Sequence, residues 1–163
     1  MTLEDKNQND IVNSSLLDSL DIEYVFSNKP INRFKTKPVV EDKVSALDEL
    51  QKSLTNIKNC ELKKSGGKLV FGDGNQNSKI MIVGEGPGQK EDEMGKPFVG
   101  DAGKLLNKML QAINLDRGKV YITNVVNYRP PNNRKPEAAE IIRYSSFLKK
   151  HISIIDPKIL ILM

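Results

Sequence analysis

The chain has 163 residues, which is enough for one domain with a buried core and short for two. Hydrophobic residues make up 38% and charged residues 28%, and no apolar run is long enough to span a membrane, so we expect a soluble globular protein. Twenty-five Lys and Arg against 21 Asp and Glu give a formal charge of +4. That charge is compatible with a polyanionic partner, although many proteins without one carry as much.

The first ten residues and the scarce Cys and His exclude several classes of protein. MTLEDKNQND is acidic and polar and lacks the basic and apolar regions of a signal peptide, so we expect a cytoplasmic protein without a membrane partner. A single cysteine, Cys60, forbids an internal disulfide, and with one distant histidine, His151, it leaves no zinc ligand set. We expect no metal site, a partly buried Cys60 without a chemical role, and a solvated His151 near the end of a helix.

Residues 1–43 are predicted to be an N-terminal extension and linker. Residues 1–9 are polar and predicted to be disordered, and the apolar residues between 11 and 20 suit one face of a short helix. Residues 27–40 carry two prolines and four basic residues without a helical period, which predicts an extended arm. Its basic residues either face water or touch a phosphate backbone.

The pattern from residue 44 onward predicts an α/β fold. Apolar residues at spacings of three and four predict an amphipathic helix over 44–57, followed by a short strand over 68–71 and a turn over 72–75. Core strands are predicted over 79–83, 119–127 and 158–163, the last one buried. Helices are predicted between them, one starting with Asp101 as its N-cap and one with Pro136 as its first residue.

Alternating strands and helices give right-handed crossovers and a parallel sheet. We therefore expect a three-layer sandwich, with a central parallel sheet flanked by helices. Since the pattern stops on its third core strand, we expect only part of that architecture here. Residues 44–163 are predicted to be a partial domain whose C-terminal part is missing.

The stretch over 79–110 contains a glycine turn, residues 84–88, between the first core strand and a polar loop. Its glycines suggest dinucleotide binding, but the fingerprint needs a glycine where Gln89 stands, and Pro87 interrupts it. A phosphate-binding P-loop is excluded as well, because no Gly-Lys-Ser/Thr closes the turn. The turn still lies where open α/β folds bind ligands.

Three residues near that turn each have two possible roles, one functional and one structural. Glu85 either positions a water and faces a developing positive charge, or is simply exposed on a turn. Phe98, in a loop rich in Gly and Pro, either fills the core or forms a platform for a flat ligand. Asn124 either reads the edge of a pyrimidine or ties down a strand end. Basic residues suited to phosphate contacts follow in a proline-rich loop: Arg129, Arg134 and Lys135.

Four motifs in a fixed order carry a family resemblance. They are GEGPGxxED over 84–92, GxPFVGxAGxLL over 95–106, YITNVV over 121–126 and RPPxNRxP over 129–136. With them, residues 44–163 resemble the family 4 uracil-DNA glycosylases.

The resemblance implies a DNA-repair enzyme of base excision repair, which flips uracil out of DNA and hydrolyses its N-glycosidic bond. It implies that Glu85 orients the attacking water or stabilises the sugar cation. Phe98 would be the stacking platform and Asn124 the reader of the uracil edge, while the backbone at Gly86 and Gly88 helps to hold the base. The implied partner is uracil-containing DNA, bound by a monomer.

The chain departs from this family at its cysteines. The resemblance implies four cysteines that hold an iron–sulfur cluster, but here Cys60 matches one and Ile57, Tyr128 and Tyr144 stand at the other places. A single thiolate cannot hold such a cluster. We therefore expect a member without the cluster, in which aromatic and aliphatic packing replaces it.

A second departure is the end of the pattern, because the family continues to a fourth strand and a histidine motif near the flipped nucleotide. His151 is in the wrong place to substitute for that histidine. Either the chain is a fragment of a longer enzyme, or it is a shortened protein that has lost activity. We expect these 163 residues alone to be unstable or nearly inactive.

Three classes of function remain open at this point. The first is a uracil-DNA glycosylase that is complete only in a longer form. The second is a catalytically dead DNA-binding relative that keeps Phe98 and the basic loop. The third is an unrelated α/β nucleotide-binding module, which the broken glycine fingerprint disfavours.

Overall fold

The structure is a computed structural model that describes residues 42–65 and 67–163. The predicted extension and linker, with its short helix over 11–20 and its arm over 27–40, lies outside these described residues apart from its last two positions. Among the helices described, none is long and apolar enough to cross a membrane.

Helices and strands alternate along the described ranges. The strands are β1 Asp73–Gly74, β2 Ile80–Gly84, β3 Tyr121–Asn124 and β4 Ile159–Leu162. The α-helices are α1 Lys43–Thr55, α2 Glu61–Lys64, α3 Gln89–Met94, α4 Asp101–Ala112 and α5 Ala138–Ile155. Two 3₁₀ turns lie at Arg117–Lys119 and Pro131–Asn133.

The four strands form one sheet in the order β1-β3-β2-β4. β2 pairs in parallel with both β3 and β4, whereas the short β1 pairs antiparallel with β3. The predicted α/β fold, with three parallel core strands and flanking helices, is confirmed. The register places Gly84 directly opposite Asn124, at the carboxyl ends of β2 and β3.

The pleat of β2 separates two hydrophobic layers, because successive side chains of a strand point to opposite faces. Met81 and Val83 belong to a buried cluster with residues of α1 and α5. Ile82 belongs to another cluster, with Leu106 and Leu110 of α4. Helices therefore cover the sheet on both faces.

The strand predicted over 68–71 is wrong, and so is the turn predicted over 72–75. Val70 N–H donates to the Asn127 carbonyl at 2.8 Å, and Asn127 Nδ2 donates back to Val70 O at 3.0 Å. That side-chain contact ties the segment to the loop after β3 in place of a ladder. Asp73 and Gly74, in the predicted turn, pair with β3 instead.

The predicted helix starts are also wrong in detail. Gly100 is the N-cap of α4, so Asp101 is its first residue. α5 begins after Pro136, because Glu137 and Glu140 form a reciprocal capping box that fixes its start. The polar loop predicted after the glycine turn contains α3, a run of good helix formers that ends at a glycine with φ of 69°.

The third core strand was predicted to be buried, but all of β4 is exposed. β4 lies at one edge of the sheet, with β2 on one side. In α4, Leu106 and Leu110 are buried, whereas Leu105 and Met109 are exposed.

His151 was predicted to be solvated and is instead 2% exposed. α5 runs past it to Ile155, so it lies inside the helix. Its ring stacks on Phe71 at 4.6 Å between centroids, and its Nε2 is hydrogen-bonded to Tyr121 Oη at 2.9 Å. Burial lowers the pKa of His151 to about 4.

Candidate active site at the carboxyl ends of the parallel strands

Gly84 forms the floor of the candidate site. A Cβ at Gly84 would lie 2.6 Å from Asn124 Oδ1 and 2.6 Å from two carbons of the Phe98 ring, Cε2 and Cζ. Real Cβ atoms do not approach other atoms so closely, so only glycine lets the ring and the amide meet here. Two of the predicted site residues, Phe98 and Asn124, are thus brought together.

Asn124 presents a buried donor with no partner. Its side chain is 3% exposed, and Nδ2 makes no hydrogen bond to any described residue. A buried donor left unpaired costs about 1–3 kcal/mol, so such groups in folded proteins call for an explanation. A ligand oxygen beside the Phe98 ring would satisfy this donor.

Phe98 has a backbone conformation that is uncommon for a non-glycine residue, with φ of 53°. Its ring is half-buried against the cluster that contains Ile82 and Leu106, and it also covers Gly84. A Cβ at Gly103 of α4 would lie 1.8 Å from the Phe98 carbonyl oxygen, so glycine is required there too. The ring therefore has one side in the core and contact with the site floor.

Glu91 of α3 holds the chain just after Phe98. Its Oε1 accepts hydrogen bonds from the backbone N–H groups of Val99 at 2.9 Å and Gly100 at 2.7 Å. The sequence placed Glu91 in a motif but did not show this role, since the two donors come from a different element.

Glu85 lies on a shallow cleft of about 140 Å³ next to this floor. The glycine turn lines one side and the proline loop, residues 129–136, lines the other, through Pro130 and residues 133–136. A Cβ at Gly86 would lie 2.8 Å from Val126 Cγ2, and one at Gly88 would lie 2.9 Å from a carboxylate oxygen of Glu91. The small residues of the turn therefore allow it to pack closely on its neighbours.

The three predicted DNA-binding residues have different surroundings. Arg129 Nε donates to Asn133 Oδ1 at 2.8 Å. Arg134 forms a two-pronged ion pair with Glu140, at 2.8 and 2.7 Å, which raises the pKa of Arg134 and lowers that of Glu140. Lys135 is exposed, and its ammonium group makes no hydrogen bond or ion pair with the residues described.

The cleft brings together Glu85, Gly86, Gly88, Arg134 and Lys135, whereas its lining does not include Phe98, Asn124 or Arg129. Asn133 does line it and was missed, because it was read only as part of a loop. Its left-handed φ of 53° is a backbone state that Asn tolerates, and an Asn-Asn pair between prolines was the signal available. The roles assigned to these residues stay predictions.

A second buried group lies between α1 and α5. Cys60 is 4% exposed, and its Sγ is 3.2 Å from Tyr144 Oη. Tyr128 belongs to the same cluster, and Ile57 packs against it. Burial, with a further contribution from Cys60, raises the pKa of Tyr128 and of Tyr144. Cys60 is therefore fully buried, more so than predicted.

The fold and the site define an α/β protein with its candidate ligand groups at the carboxyl ends of parallel strands. A family model of the uracil DNA glycosylase superfamily matches residues 71–163, which is more than half of the chain. The chain belongs to this superfamily.

Curated relatives agree with that assignment. The chain is 45% identical over 119 residues to a type-4 uracil-DNA glycosylase of Sulfurisphaera tokodaii, covering 72% of this chain and 54% of the relative. It is 42% identical over 118 residues to that of Archaeoglobus fulgidus, covering 72% and 59%. With that of Saccharolobus solfataricus it shares 46% identity over 116 residues, covering 71% and 54%. The resemblance is confirmed, and the chain spans about half the length of the curated relatives it matches.

The residues at the matched cysteine positions do not fit an iron–sulfur cluster. Ile57, Cys60, Tyr128 and Tyr144 do converge in one buried cluster, but only Cys60 offers a thiolate. The tyrosines are 3% and 0% exposed and fill the space with their rings. A cluster of this type needs four thiolate ligands, and these four positions offer one.

Proposed function

We propose that this chain acts in DNA repair as a uracil-DNA glycosylase, which binds a uracil flipped out of DNA and hydrolyses its N-glycosidic bond. The observation that carries the proposal is the buried, unpaired Nδ2 of Asn124, a residue whose side chain meets the Phe98 ring at Gly84. A flat ring with a carbonyl oxygen at its edge satisfies both groups at once.

Recognition of uracil follows from the donor character of Asn124. Uracil presents a carbonyl oxygen where cytosine presents an amino group, so Nδ2 would pair with uracil and meet another donor in cytosine. A site built around a buried hydrogen bond rejects an analogue that leaves it unpaired. Phe98 would stack on the face of the base, which every base offers, and so contribute affinity without choosing among bases.

Hydrolysis requires a water at the sugar carbon and a stabilised leaving base. In the proposed mechanism the bond from C1′ to N1 of uracil breaks as water attacks C1′, and the base leaves with the bonding electron pair. Glu85, exposed on the cleft, would orient the water, accept its proton and stabilise the positive sugar. The hydrogen bond from Asn124 strengthens as negative charge develops on the uracil oxygens.

The proline loop supplies the proposed contact with the DNA backbone. Lys135 is available for a phosphate, and Arg134 keeps an exposed part of its guanidinium while its fork holds Glu140. Arg129, bound to Asn133, lies in the same loop. We expect these contacts to be independent of sequence and sensitive to salt.

The test is release of uracil by the full chain. We would incubate excess protein with single- and double-stranded oligonucleotides that carry one dU, and measure abasic sites by alkaline strand scission. With protein in excess, even the low activity expected of these 163 residues alone releases a measurable fraction of the uracil, and we expect that release to be lost in Glu85→Gln and in Asn124→Leu. Glu93→Gln is the matched control, since Glu93 is exposed on α3 and, among the described residues, its carboxylate accepts a hydrogen bond from Gln89 alone. Binding of dU oligonucleotide without any release would overturn the catalytic proposal in favour of a DNA-binding relative.

A further inference from the structure

The Arg117 side chain donates hydrogen bonds to two consecutive backbone carbonyls in the loop that carries Phe98. Its Nη2 donates to the Pro97 carbonyl at 2.7 Å and its Nη1 to the Phe98 carbonyl at 3.0 Å. The same guanidinium is anchored by Asp73, with Nε to Oδ2 at 2.9 Å and Nη2 to Oδ2 at 2.8 Å. Both side chains are 23% exposed, so this network is largely shielded from water.

Phe98 needs such an external support because its backbone is not in a state that phenylalanine prefers. A φ of 53° is uncommon for a bulky residue and persists only where the surroundings impose it. The planar fork of arginine donates to two neighbouring carbonyls from nitrogens at a fixed spacing, whereas the donors of a lysine ammonium rotate about a single nitrogen and do not fix that geometry. Arg117 therefore fixes the peptide planes on either side of Phe98, and with them the direction of its ring.

Asp73 connects the Arg117 guanidinium to the sheet. Asp73 belongs to β1 and is paired with Ile122 of β3, the strand that ends in Asn124. The Phe98 ring is thus connected to β3 through Arg117 and Asp73, and the Asn124 amide belongs to β3 itself.

We propose that Arg117, anchored by Asp73, is a positioning residue that holds Phe98 in the orientation in which it stacks on a flipped uracil; this rests on the proposed function. Arg117 does not touch the base in this arrangement. It acts through the two carbonyls, and its loss allows the Phe98 ring to turn away from the floor at Gly84.

Lys96 provides a matched control within the same network. Its Nζ is 3.6 Å from Asp73 Oδ1, but it makes no hydrogen bond to the carbonyls of Pro97 or Phe98 among the contacts of the described chain. Lys96→Gln removes a positive charge beside Asp73 and leaves the hydrogen bonds from Arg117 to the two carbonyls intact. Arg117→Lys keeps the charge and removes the fork.

The first measurement is the ¹⁹F NMR signal of Phe98 in the full chain labelled with 4-fluorophenylalanine, assigned through Phe98→Leu. We expect Arg117→Lys to shift and broaden this signal and Lys96→Gln to leave it in place. Asp73→Asn, which keeps Arg117 but weakens its anchor, is the second variant should Arg117→Lys fail to fold. An unchanged Phe98 signal in the folded variant overturns the proposal.

The second measurement is the affinity for a single-stranded oligonucleotide with one dU relative to the same oligonucleotide with an abasic tetrahydrofuran residue at that position, which offers no base to stack. We expect Arg117→Lys to reduce this preference about tenfold, as loss of a stacking contact does, while the affinity for the abasic oligonucleotide stays the same. A preserved preference overturns the proposal even if the ¹⁹F signal moves. If the wild-type chain itself has no preference, the proposed function fails, and the ¹⁹F comparison still decides whether Arg117 orients the ring.

Discussion

Gly84 is the residue whose lack of a side chain shapes the candidate site. The sequence pointed to its neighbour Glu85 and passed over Gly84, which looked like the end of a strand followed by a turn. Its importance depends on the Phe98 ring, which reaches it from another loop, and on Asn124, which faces it from another strand. Contacts of that kind have no signature in local sequence.

Gly84→Ala is expected to remove base recognition. The new methyl group would lie 2.6 Å from ring carbons of Phe98 and from Asn124 Oδ1, so both must move, at an overpacking cost of about 1–3 kcal/mol. The measurements are the urea midpoint and the preference for dU over dC oligonucleotide. Gly118→Ala is the control, because a Cβ there meets only the flexible side chain of Asp116, at 3.1 Å. A Gly84→Ala protein that keeps the wild-type preference would contradict this role for the floor.

Two asparagines three positions apart, Asn124 and Asn127, show what sequence could and could not resolve. Asn124 and Asn127 both follow an apolar run and both offer an amide. Asn127 Nδ2 donates to the Val70 carbonyl and so ties down a chain segment, whereas Asn124 Nδ2 is unpaired within the described structure. Sequence alone does not separate these two asparagines, because the Val70 carbonyl that binds Asn127 comes from a distant segment, and the reading role of Asn124 stays a prediction.

At the scale of helices and strands, periodicity predicted which elements exist better than where they end. Pro136 is a good first residue of a helix by its own properties, yet α5 starts later. Glu137 and Glu140 cap each other's backbone, and Arg134 binds the Glu140 carboxylate from outside the helix. Pro136 instead lines the cleft opposite the glycine turn.

The buried group of Ile57, Cys60, Tyr128 and Tyr144 connects three parts of the chain: the turn between α1 and α2, the loop that leads to the proline loop, and α5. Ring packing and the contact between Cys60 Sγ and Tyr144 Oη join these parts. We propose that this packing takes the place of an iron–sulfur cluster.

Iron analysis tests this proposal. We expect the purified chain to contain no stoichiometric iron or acid-labile sulfide, and to lack visible absorption, because one thiolate cannot hold the cluster. A variant with Ile57→Cys, Tyr128→Cys and Tyr144→Cys offers four thiols at the converging positions and is expected to bind iron on anaerobic reconstitution. Tyr144→Phe, which keeps the ring and adds no thiol, is the matched control. A stoichiometric cluster in the wild-type chain would refute the proposal.

For the whole molecule, the order of strands and helices was predictable because each element carries its own pattern. Exposure and burial were less so, since they depend on which elements become neighbours. β4 has the sequence of a buried strand but lies exposed at a sheet edge. His151 has the sequence setting of a solvated helix end but is enclosed by Phe71 and Tyr121.

The burial of His151 makes the stability of the whole domain depend on pH. The pKa of His151 is about 4 in the folded protein, against an ordinary value of 6.5. Between these two pH values the unfolded chain therefore binds more protons than the folded protein. The contribution of the neutral His151 to the free energy of unfolding is complete above pH 6.5 and is lost as pH falls toward 4. By linkage it amounts to about 3 kcal/mol.

Urea unfolding at several pH values between 7 and 4 measures this effect. His151→Gln is expected to flatten the dependence, because glutamine does not titrate and can still hydrogen-bond Tyr121 Oη. Carboxylates contribute equally to both proteins, so the difference between them isolates the histidine. Parallel curves for the two proteins would contradict the buried neutral imidazole.

The register of Gly84 and Asn124 has a consequence for the order in which parts of the molecule open. They are partners on adjacent parallel strands, roughly 4.8 Å apart across the ladder. Central strands exchange their amide hydrogens only when the whole fold opens, whereas exposed loops exchange through local fluctuations. The proline loop, with two left-handed asparagines, belongs to the second kind. We therefore expect the proposed reading of the base to depend on slowly exchanging strands, and the proposed contact with the DNA backbone to depend on a loop that exchanges fast.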